Sequence, residues 1–269
     1  MDARAAVRAV PREAFIPDVI WVHRGDGWSV PVRRGEDPER WAELAGSGDS
    51  IVIQMDDGTA AEKGAWPTSS STAPEGMVTM IDALGVQPGM RVLEIGTGSG
   101  FNAAVLAHLL GAENVTTMEI DAALAEHART ALDRAGYPVH VVTGDGAEGY
   151  AAGAPYDRVV VTASVHTVPY AWIEQTKPGG ILVVPWAFTF HPDGPLAKLT
   201  VRNDGTAEGR FIGPGFYMPV RDQRVRQAVL HETRERWSKA GEPSCTRYGV
   251  TVTRDGQRIW LDTPDNPVA

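Results

Sequence analysis

Five residues, Gly96-Thr97-Gly98-Ser99-Gly100, stand between a strand pattern (Arg91 to Ile95) and a helical one (Phe101 to Leu110). Glycines at such a turn let the backbone approach a ligand and adopt conformations closed to other residues. The helix amino end that follows offers free N–H groups to a polar ligand. Glu119 lies 19 residues after Gly100, at the end of the next strand pattern. A carboxylate there accepts hydrogen bonds from two ribose hydroxyls, so the loop and Glu119 together point to a nucleoside-containing ligand. Gly144-Asp145-Gly146 follows a third strand pattern. Taken alone it is an Asp-Gly turn; at a strand's carboxyl end in this series it faces the base side of such a ligand. A dinucleotide fingerprint requires Gly-x-Gly-x-x-Gly. The spacing here is Gly-x-Gly-x-Gly, position 101 is Phe, and the acidic Glu94 precedes the loop.

Residues 74–220 supply the frame that would position these groups. Pro74 opens a helix whose apolar stripe is Met77, Ile81 and Leu84, ended by Gly85 and Pro88-Gly89. After the loop, Phe101 to Leu110 is apolar on most sides, as a buried helix is, and Gly111 stops it. Val115 to Ile120 is the second strand, Ala122 to Ala135 an amphipathic helix, Val139 to Val142 the third strand and Arg158 to Val161 the fourth. A helix ends near Thr176, before a Lys177-Pro178-Gly179-Gly180 turn, and Ile181 to Val184 is the fifth strand. Leu196 to Val201 and Arg210 to Ile212 are later strand candidates. This alternation predicts an α/β fold with a mainly parallel sheet and helices on both faces.

The flanks read differently. Residues 1–73 are expected to be irregular, with a short helix from Ala3 to Val10, a charged, Gly-rich stretch from Arg33 to Asp57, and a strand at Ile51-Val52-Ile53. Residues 221–269 read as a polar helix within Arg221 to Lys239, then a hairpin of Tyr248 to Thr253 and Gln257 to Leu261 turning at Asp255-Gly256. An isolated hairpin is marginal, so this one must pack on something, either extending the main sheet or shaping the rim of a site. The segment carries nine Arg/Lys against seven Asp/Glu, whereas the whole chain has a formal charge of −9.

Composition narrows the function classes. At 269 residues, with 43% hydrophobic and 22% charged residues, the chain can bury a core without staples. Its acidity argues against general binding of nucleic acid or anionic membrane. A single cysteine, Cys245, excludes an intrachain disulfide framework and a Cys-rich zinc module, and the histidines show no metal-ligand spacing, so no metal is expected. No apolar run reaches the ~18 residues of a membrane span. Met1-Asp2-Ala3-Arg4 lacks the basic and apolar regions of a signal peptide, and the expected location is cytoplasmic.

The loop pattern resembles the first motif of S-adenosyl-L-methionine-dependent methyltransferases. Further segments resemble one family, the protein-L-isoaspartate O-methyltransferases. They are Val10-Pro11-Arg12-Glu13-Ala14-Phe15-Ile16-Pro17, the run Val92 to Ala104 including Glu94 and Asn102, Gly144-Asp145-Gly146, and Lys177 to Pro185. The resemblance covers residues 10–17 and about 68–220. It implies a Rossmann-like methyltransferase fold, S-adenosyl-L-methionine as cofactor, and methylation of a carboxylate derived from Asp or Asn in a peptide or protein. It also implies a cofactor set of Ser70, Ser71, Glu94, Gly96, Thr97, Gly98, Gly100, Asn102, Glu119, Asp145 and Gly146. Family members usually carry Gly-Gln-Thr-Ile-Ser before a residue and Pro; here the stretch is Pro67 to Pro74, and Thr72 takes the place of the active-site serine. Thr72 is therefore the expected catalytic residue, orienting the acceptor, with helix capping before Pro74 as its bland role. The fourth-strand end, Ala163-Ser164-Val165-His166-Thr167-Val168-Pro169, also departs from the family pattern, and Ser164 and His166 are the expected substrate contacts.

The ending Arg247 to Val252 and Ile259 to Asp262 resembles actinobacterial members associated with ribosomally made peptides such as lanthipeptides. Those methylate an Asp whose ester closes to a succinimide and opens mainly to isoaspartate. Three readings stand at this point: a carboxyl methyltransferase that tailors a peptide or repairs isoaspartyl damage, a small-molecule methyltransferase on the same fold, and a non-catalytic binding module. The sequence does not set the oligomeric state.

Overall fold

Buried apolar runs and capped helix starts place the secondary structure. The computed structural model describes residues 2–268; Met1 and Ala269, the outermost residues of the two flanking segments, lie outside the described residues. In chain order the elements are α1 (Ala3–Ala9), β1 (Val19–His23), β2 (Ser29–Arg33), α2 (Pro38–Ala45), β3 (Ile51–Met55), β4 (Pro67–Ser71), α3 (Pro74–Leu84), β5 (Val92–Ile95), α4 (Phe101–Leu110) and β6 (Val115–Glu119). They continue as α5 (Ala122–Arg134), β7 (His140–Thr143), β8 (Tyr156–Val161), α6 (Tyr170–Glu174), β9 (Thr176–Pro185), β10 (Pro195–Val201), β11 (Ala207–Pro214), α7 (Gln227–Lys239), β12 (Tyr248–Thr253) and β13 (Gly256–Leu261). Two compact units result: Met1–Asp82 with Val86–Gly89 and Thr97–Gly144, and Ala83–Gly85 with Met90–Gly96 and Asp145–Ala269.

The first unit corrects the expectation that residues 1–73 are irregular. Those residues form a four-stranded antiparallel sheet in the order β2-β1-β3-β4. Its apolar side gathers Ile16, Ile20, Trp41, Ala45, Ile51 and Ile53, with Leu124 packed against them. α2 starts where Asp37 Oδ1 accepts from Arg40 N at 3.0 Å and Pro38 takes the first position, and it buries Trp41 and Ala45. β6 and β7 pair in parallel, Thr116 opposite His140 through Glu119 opposite Thr143. α5 is capped by Asp121, whose Oδ1 accepts from Ala123 N and Leu124 N, and it buries Ala125, Ala128, Ala131 and Leu132. α4 buries seven of its ten residues, in keeping with its all-round apolarity.

The second unit orders its strands β13-β12-β11-β10-β9-β8-β5. β5, β8 and β9 are parallel neighbours. Val92, Leu93, Ile95, Val159, Val160, Val161, Leu182, Val183 and Val184 are buried, the continuous apolar run of strands covered on both faces. From β9 to β13 every pairing is antiparallel. The expectation of a mainly parallel sheet therefore holds for only part of it. β12 pairs with β11, so the C-terminal hairpin extends the sheet. Beyond β13 the chain folds back: Leu261 N donates to Asn266 O at 3.0 Å, Asn266 Nδ2 to Leu261 O at 3.1 Å, and Val268 N to Ile259 O at 2.9 Å. Lys177-Pro178-Gly179-Gly180, read as a turn, lies inside β9. Cys245 is buried and free.

Candidate active site

In the first unit the glycine loop is tied to β6 by three contacts. Gly98 N donates to Glu119 Oε2 at 2.9 Å, Thr97 N donates to Met118 O at 3.1 Å, and the Thr97 and Thr117 hydroxyls pair at 2.7 Å. Glu119 is 8% exposed, and its second oxygen, Oε1, accepts from Asp121 N at 3.1 Å. A carboxylate has about four lone-pair sites, so these two donors leave capacity for a ligand's hydroxyls. Burial pushes the Glu119 carboxyl above the ordinary glutamate range, and the N–H groups of Gly98 and Asp121 oppose that shift. Asp121 also receives Gln54 Nε2 at 3.0 Å, while Gln54 Oε1 accepts from Thr68 Oγ1 at 2.9 Å.

Gly100 shows why the loop needs glycine. It has φ +86°, and a Cβ there would stand 3.2 Å from Ala128 Cβ on α5. A Cβ on Gly98 would stand 3.5 Å from both Ser69 Oγ and Ser70 O, so the end of β4 lies against the loop. Asn102 is half-buried in the first turn of α4.

β4 is fixed by a residue to which sequence reasoning gave no role. Arg12 is 9% exposed, and its guanidinium makes five hydrogen bonds: Nε to Ser71 Oγ at 3.2 Å, Nη1 to Ser47 O at 3.0 Å, and Nη2 to Asp49 O, Ser71 O and Thr72 O at 2.8, 2.8 and 3.1 Å. Its partners are neutral oxygens, and burial lowers its pKa to about 10, so it stays charged at neutral pH. Thr72 is half-buried just past β4, its carbonyl held by Arg12. The Ser71 hydroxyl, expected at a cofactor, accepts from Arg12 Nε and keeps its own O–H donor. The signal was present in Val10 to Pro17, the short motif that carries Arg12.

In the second unit Glu94 is fully buried in β5. Gly96 continues from that strand with φ +95°, and a Cβ there would lie 2.6 Å from Thr162 Oγ1. Thr162 Oγ1 donates to Ile95 O at 3.0 Å and to Gly96 O. Gly146 packs on Ile95, and its carbonyl accepts from Trp172 Nε1 at 2.7 Å, a contact sequence reasoning missed. Asp145 is exposed, and its Oδ1 accepts from Ala147 N at 2.9 Å, so it makes the Asx turn.

Ser164 and His166 follow β8. Ser164 is 2% exposed and its Oγ donates to Tyr217 O at 3.0 Å, which engages the donor expected to face substrate. His166 is half-buried, with Nδ1 3.0 Å from Thr167 Oγ1. Among the described residues no group of three or more His, Cys, Asp or Glu could hold a metal ion, and no helix is long and apolar enough to cross a membrane.

Residues 57–225 match the family model described as protein-L-isoaspartate(D-aspartate) O-methyltransferase. A protein-L-isoaspartate O-methyltransferase of Hyperthermus butylicus is 32% identical over 227 residues, covering 81% of this chain and 80% of that one. One of Methylorubrum extorquens is 36% identical over 217 residues, covering 80% and 78%. A solved protein-L-isoaspartate O-methyltransferase superposes with a TM-score of 0.68 at 20% identity, over 98% of this chain and 96% of that one. A Plasmodium falciparum structure of the same description, in complex with S-adenosyl-L-homocysteine, superposes with a TM-score of 0.54 at 16% identity, over 82% and 99%. At these identities the two structures establish the Rossmann-like methyltransferase fold.

Proposed function

This chain belongs to the protein-L-isoaspartate(D-aspartate) O-methyltransferase family and is an S-adenosyl-L-methionine-dependent methyltransferase, and from that premise we propose that its acceptor is the carboxylate of an isoaspartyl residue in a peptide or protein. The observation that carries the cofactor half of this reading is Glu119, buried, bridged to the Gly98 amide and with acceptor capacity to spare. The donor and acceptor set fits the group. Glu119 would hold the ribose hydroxyls, with Gly96, Thr97, Gly98 and Gly100 forming the backbone cradle and Asn102 opening the helix behind it. Asp145 and Gly146 would face the base, Ser70 would border the loop, and Glu94 would support it from β5.

The bound cofactor supplies a methyl group on a sulfonium. An Asp-derived carboxylate has an unperturbed pKa of about 4 and is ionised at neutral pH, so the acceptor needs no general base. What the protein must do is align the acceptor oxygen and exclude water, since charge is cancelled as the ester forms. Thr72, placed by Arg12, takes the aligning role through a hydrogen bond to the acceptor or its peptide. Thr72→Ala should lower turnover while affinity for S-adenosyl-L-homocysteine holds, and Thr72→Ser should keep much of the rate. Parent turnover in Thr72→Ala would remove Thr72 from the site.

The reading is tested by intact mass of isoaspartyl, aspartyl and unmodified peptides after incubation with S-adenosyl-L-methionine. Gain of one methyl group on the isoaspartyl peptide alone supports it. The second reading, methylation of Asp in a modified ribosomal peptide to give succinimide and then isoaspartate, is favoured by Thr72 in the serine position and by the C-terminal resemblance; methylation of the aspartyl peptide alone would select it.

The raised Glu119 pKa sets a pH dependence. Ribose hydroxyls donate to the ionised form, so cofactor binding should lower that pKa and release a proton. Affinity should therefore fall as pH drops into the range just above ordinary carboxylates, and Glu119→Gln should flatten the profile. In the free protein the raised pKa means that ionised Glu119 opposes folding once the pH exceeds its folded value. Without cofactor the parent's melting midpoint should thus lose a contribution as pH rises through that value, and Glu119→Gln should remove this part of the pH dependence. Calorimetry and thermal melting read both effects.

A further inference from the structure

In the first unit, β3 carries one buried amide, Gln54, which is 8% exposed. β3 pairs with β4 as Val52 opposite Ser70, Gln54 opposite Ser69 and Met55 opposite Pro67, so the register shifts on both sides of Gln54. Such irregularities re-aim a side chain and are common beside active sites. A buried amide needs partners at both ends. Here Nε2 donates to Asp121 Oδ2 at 3.0 Å, and Oε1 accepts from Thr68 Oγ1 at 2.9 Å.

The surrounding chain sets which way the amide faces. Asp57 N donates to Thr68 Oγ1 at 3.1 Å, and the hydroxyl gives its single O–H to Gln54 Oε1. An ionised Asp121 only accepts, so it takes the Nε2 end. The turn that supplies Asp57 N is an unusual one. Asp56, Asp57 and Gly58 have φ of +50°, +53° and +82°, the left-handed region that side-chain-bearing residues rarely adopt. The Asp56 carboxylate holds the turn by accepting from Ala65 N and Trp66 N at 2.9 and 2.8 Å. A Cβ on Gly58 would stand 3.3 Å from Gln54 Nε2, so the same turn closes over the amide.

Asp121 carries the hold onward. Its Oδ1 caps α5, its Oδ2 takes Gln54, and its own N–H donates to Glu119 Oε1 at 3.1 Å. Glu119 Oε2 then takes Gly98 N at 2.9 Å. Hydrogen bonds thus run unbroken from Thr68 through Gln54, Asp121 and Glu119 to the glycine loop.

We propose that Gln54 is a positioning residue for the cofactor, holding Asp121, and through it the Glu119 carboxylate, in the posture that the ribose hydroxyls require. Thr68 fixes the amide that does so. The inference rests on the ribose role given to Glu119 above. It makes β4, the strand that leads to Thr72, a support of the cofactor as well as of the acceptor.

The test is calorimetric binding of S-adenosyl-L-homocysteine and of its 2′,3′-dideoxy analogue to the full chain. The parent should prefer the ribose form about a hundredfold or more, the effect of two hydrogen bonds to a charged acceptor. Gln54→Leu keeps a similar volume and loses both polar ends. Its preference should shrink by about threefold or more, the scale of coupling within one hydrogen-bond network. Thr68→Val should shrink the preference in the same direction, and Thr68→Ser should restore it. A purely structural Gln54 would weaken both ligands alike and leave the preference unchanged. The parent's preference in folded Gln54→Leu overturns the inference, as does the parent's preference in Thr68→Val where Gln54→Leu does not fold. A parent that binds both ligands equally overturns the ribose role of Glu119 and this inference with it.

Discussion

Replacing Glu119 with alanine should weaken binding of S-adenosyl-L-methionine and S-adenosyl-L-homocysteine about a hundredfold or more, since hydrogen bonds to a charged acceptor contribute about 1.5–3 kcal/mol each and about 1.4 kcal/mol is tenfold. Two such bonds to the ribose would go. The loss has a second source, because Gly98 N and Asp121 N also give up their acceptor, and the loop that would cradle the ligand loses one of its three ties to β6. Glu119→Gln separates the two. Its amide keeps one acceptor oxygen and places an NH₂ against one of the two backbone N–H groups, so it should bind worse than the parent and better than the alanine variant. Parent affinity in a folded Glu119→Ala variant would rule out the ribose assignment.

Arg12→Lys should be the most damaging conservative change in the first unit. An ammonium has three donors at one point and cannot span oxygens from Ser47, Asp49, Ser71 and Thr72, whereas the guanidinium fork does so with planar geometry. A carbonyl left unpaired costs up to about 1–3 kcal/mol, most at the buried Ser71 and less at the part-buried Ser47, Asp49 and Thr72. Two or three such losses are a large fraction of the ~5–15 kcal/mol that holds a native protein together. At about 2–4 °C per kcal/mol, the midpoint of thermal melting should fall by roughly 10 °C. Turnover, measured well below that midpoint, should fall as well, because the carbonyl of Thr72 loses its anchor. An Arg12→Lys variant that melts with the parent would show the five hydrogen bonds to be replaceable by water.

How legible this was in the sequence depended on whether burial followed a period. α4 was read to its exact ends because Gly100 and Gly111 bracket an all-apolar run, and β5, β6 and α5 were placed within a residue or so for similar reasons. β4 left no such trace. Pro67-Thr68-Ser69-Ser70-Ser71 has no apolar residue after its first position, and it is a strand because β3 pairs with it. β2 contains Pro31, which propensity places in turns, yet there it sits opposite Trp21 in an edge strand where a missing N–H costs little. α2 announced itself with Asp37-Pro38 and was obscured by its charged surroundings. The same contrast holds for the site. Gly96 to Gly100 and Glu119 stand out in the sequence because a tight strand–helix turn demands glycine at particular spacings, and the structure joins the two through Gly98 N and Glu119. Arg12 and Trp172 do not, since each acts on a distant stretch of backbone and a carbonyl carries no residue signature.

The short return of the chain over β13 has a consequence for life at high concentration. A sheet that ends in a bare strand presents a row of N–H and C=O groups to any other chain, a template for intermolecular pairing. Here Asn266 and Val268 occupy the outward groups of Ile259 and Leu261. Asn266 to Val268 thus act as a selvedge on β13, covering groups of a strand whose Ile259 and Trp260 are buried and leaving fewer of them for a foreign strand to pair with.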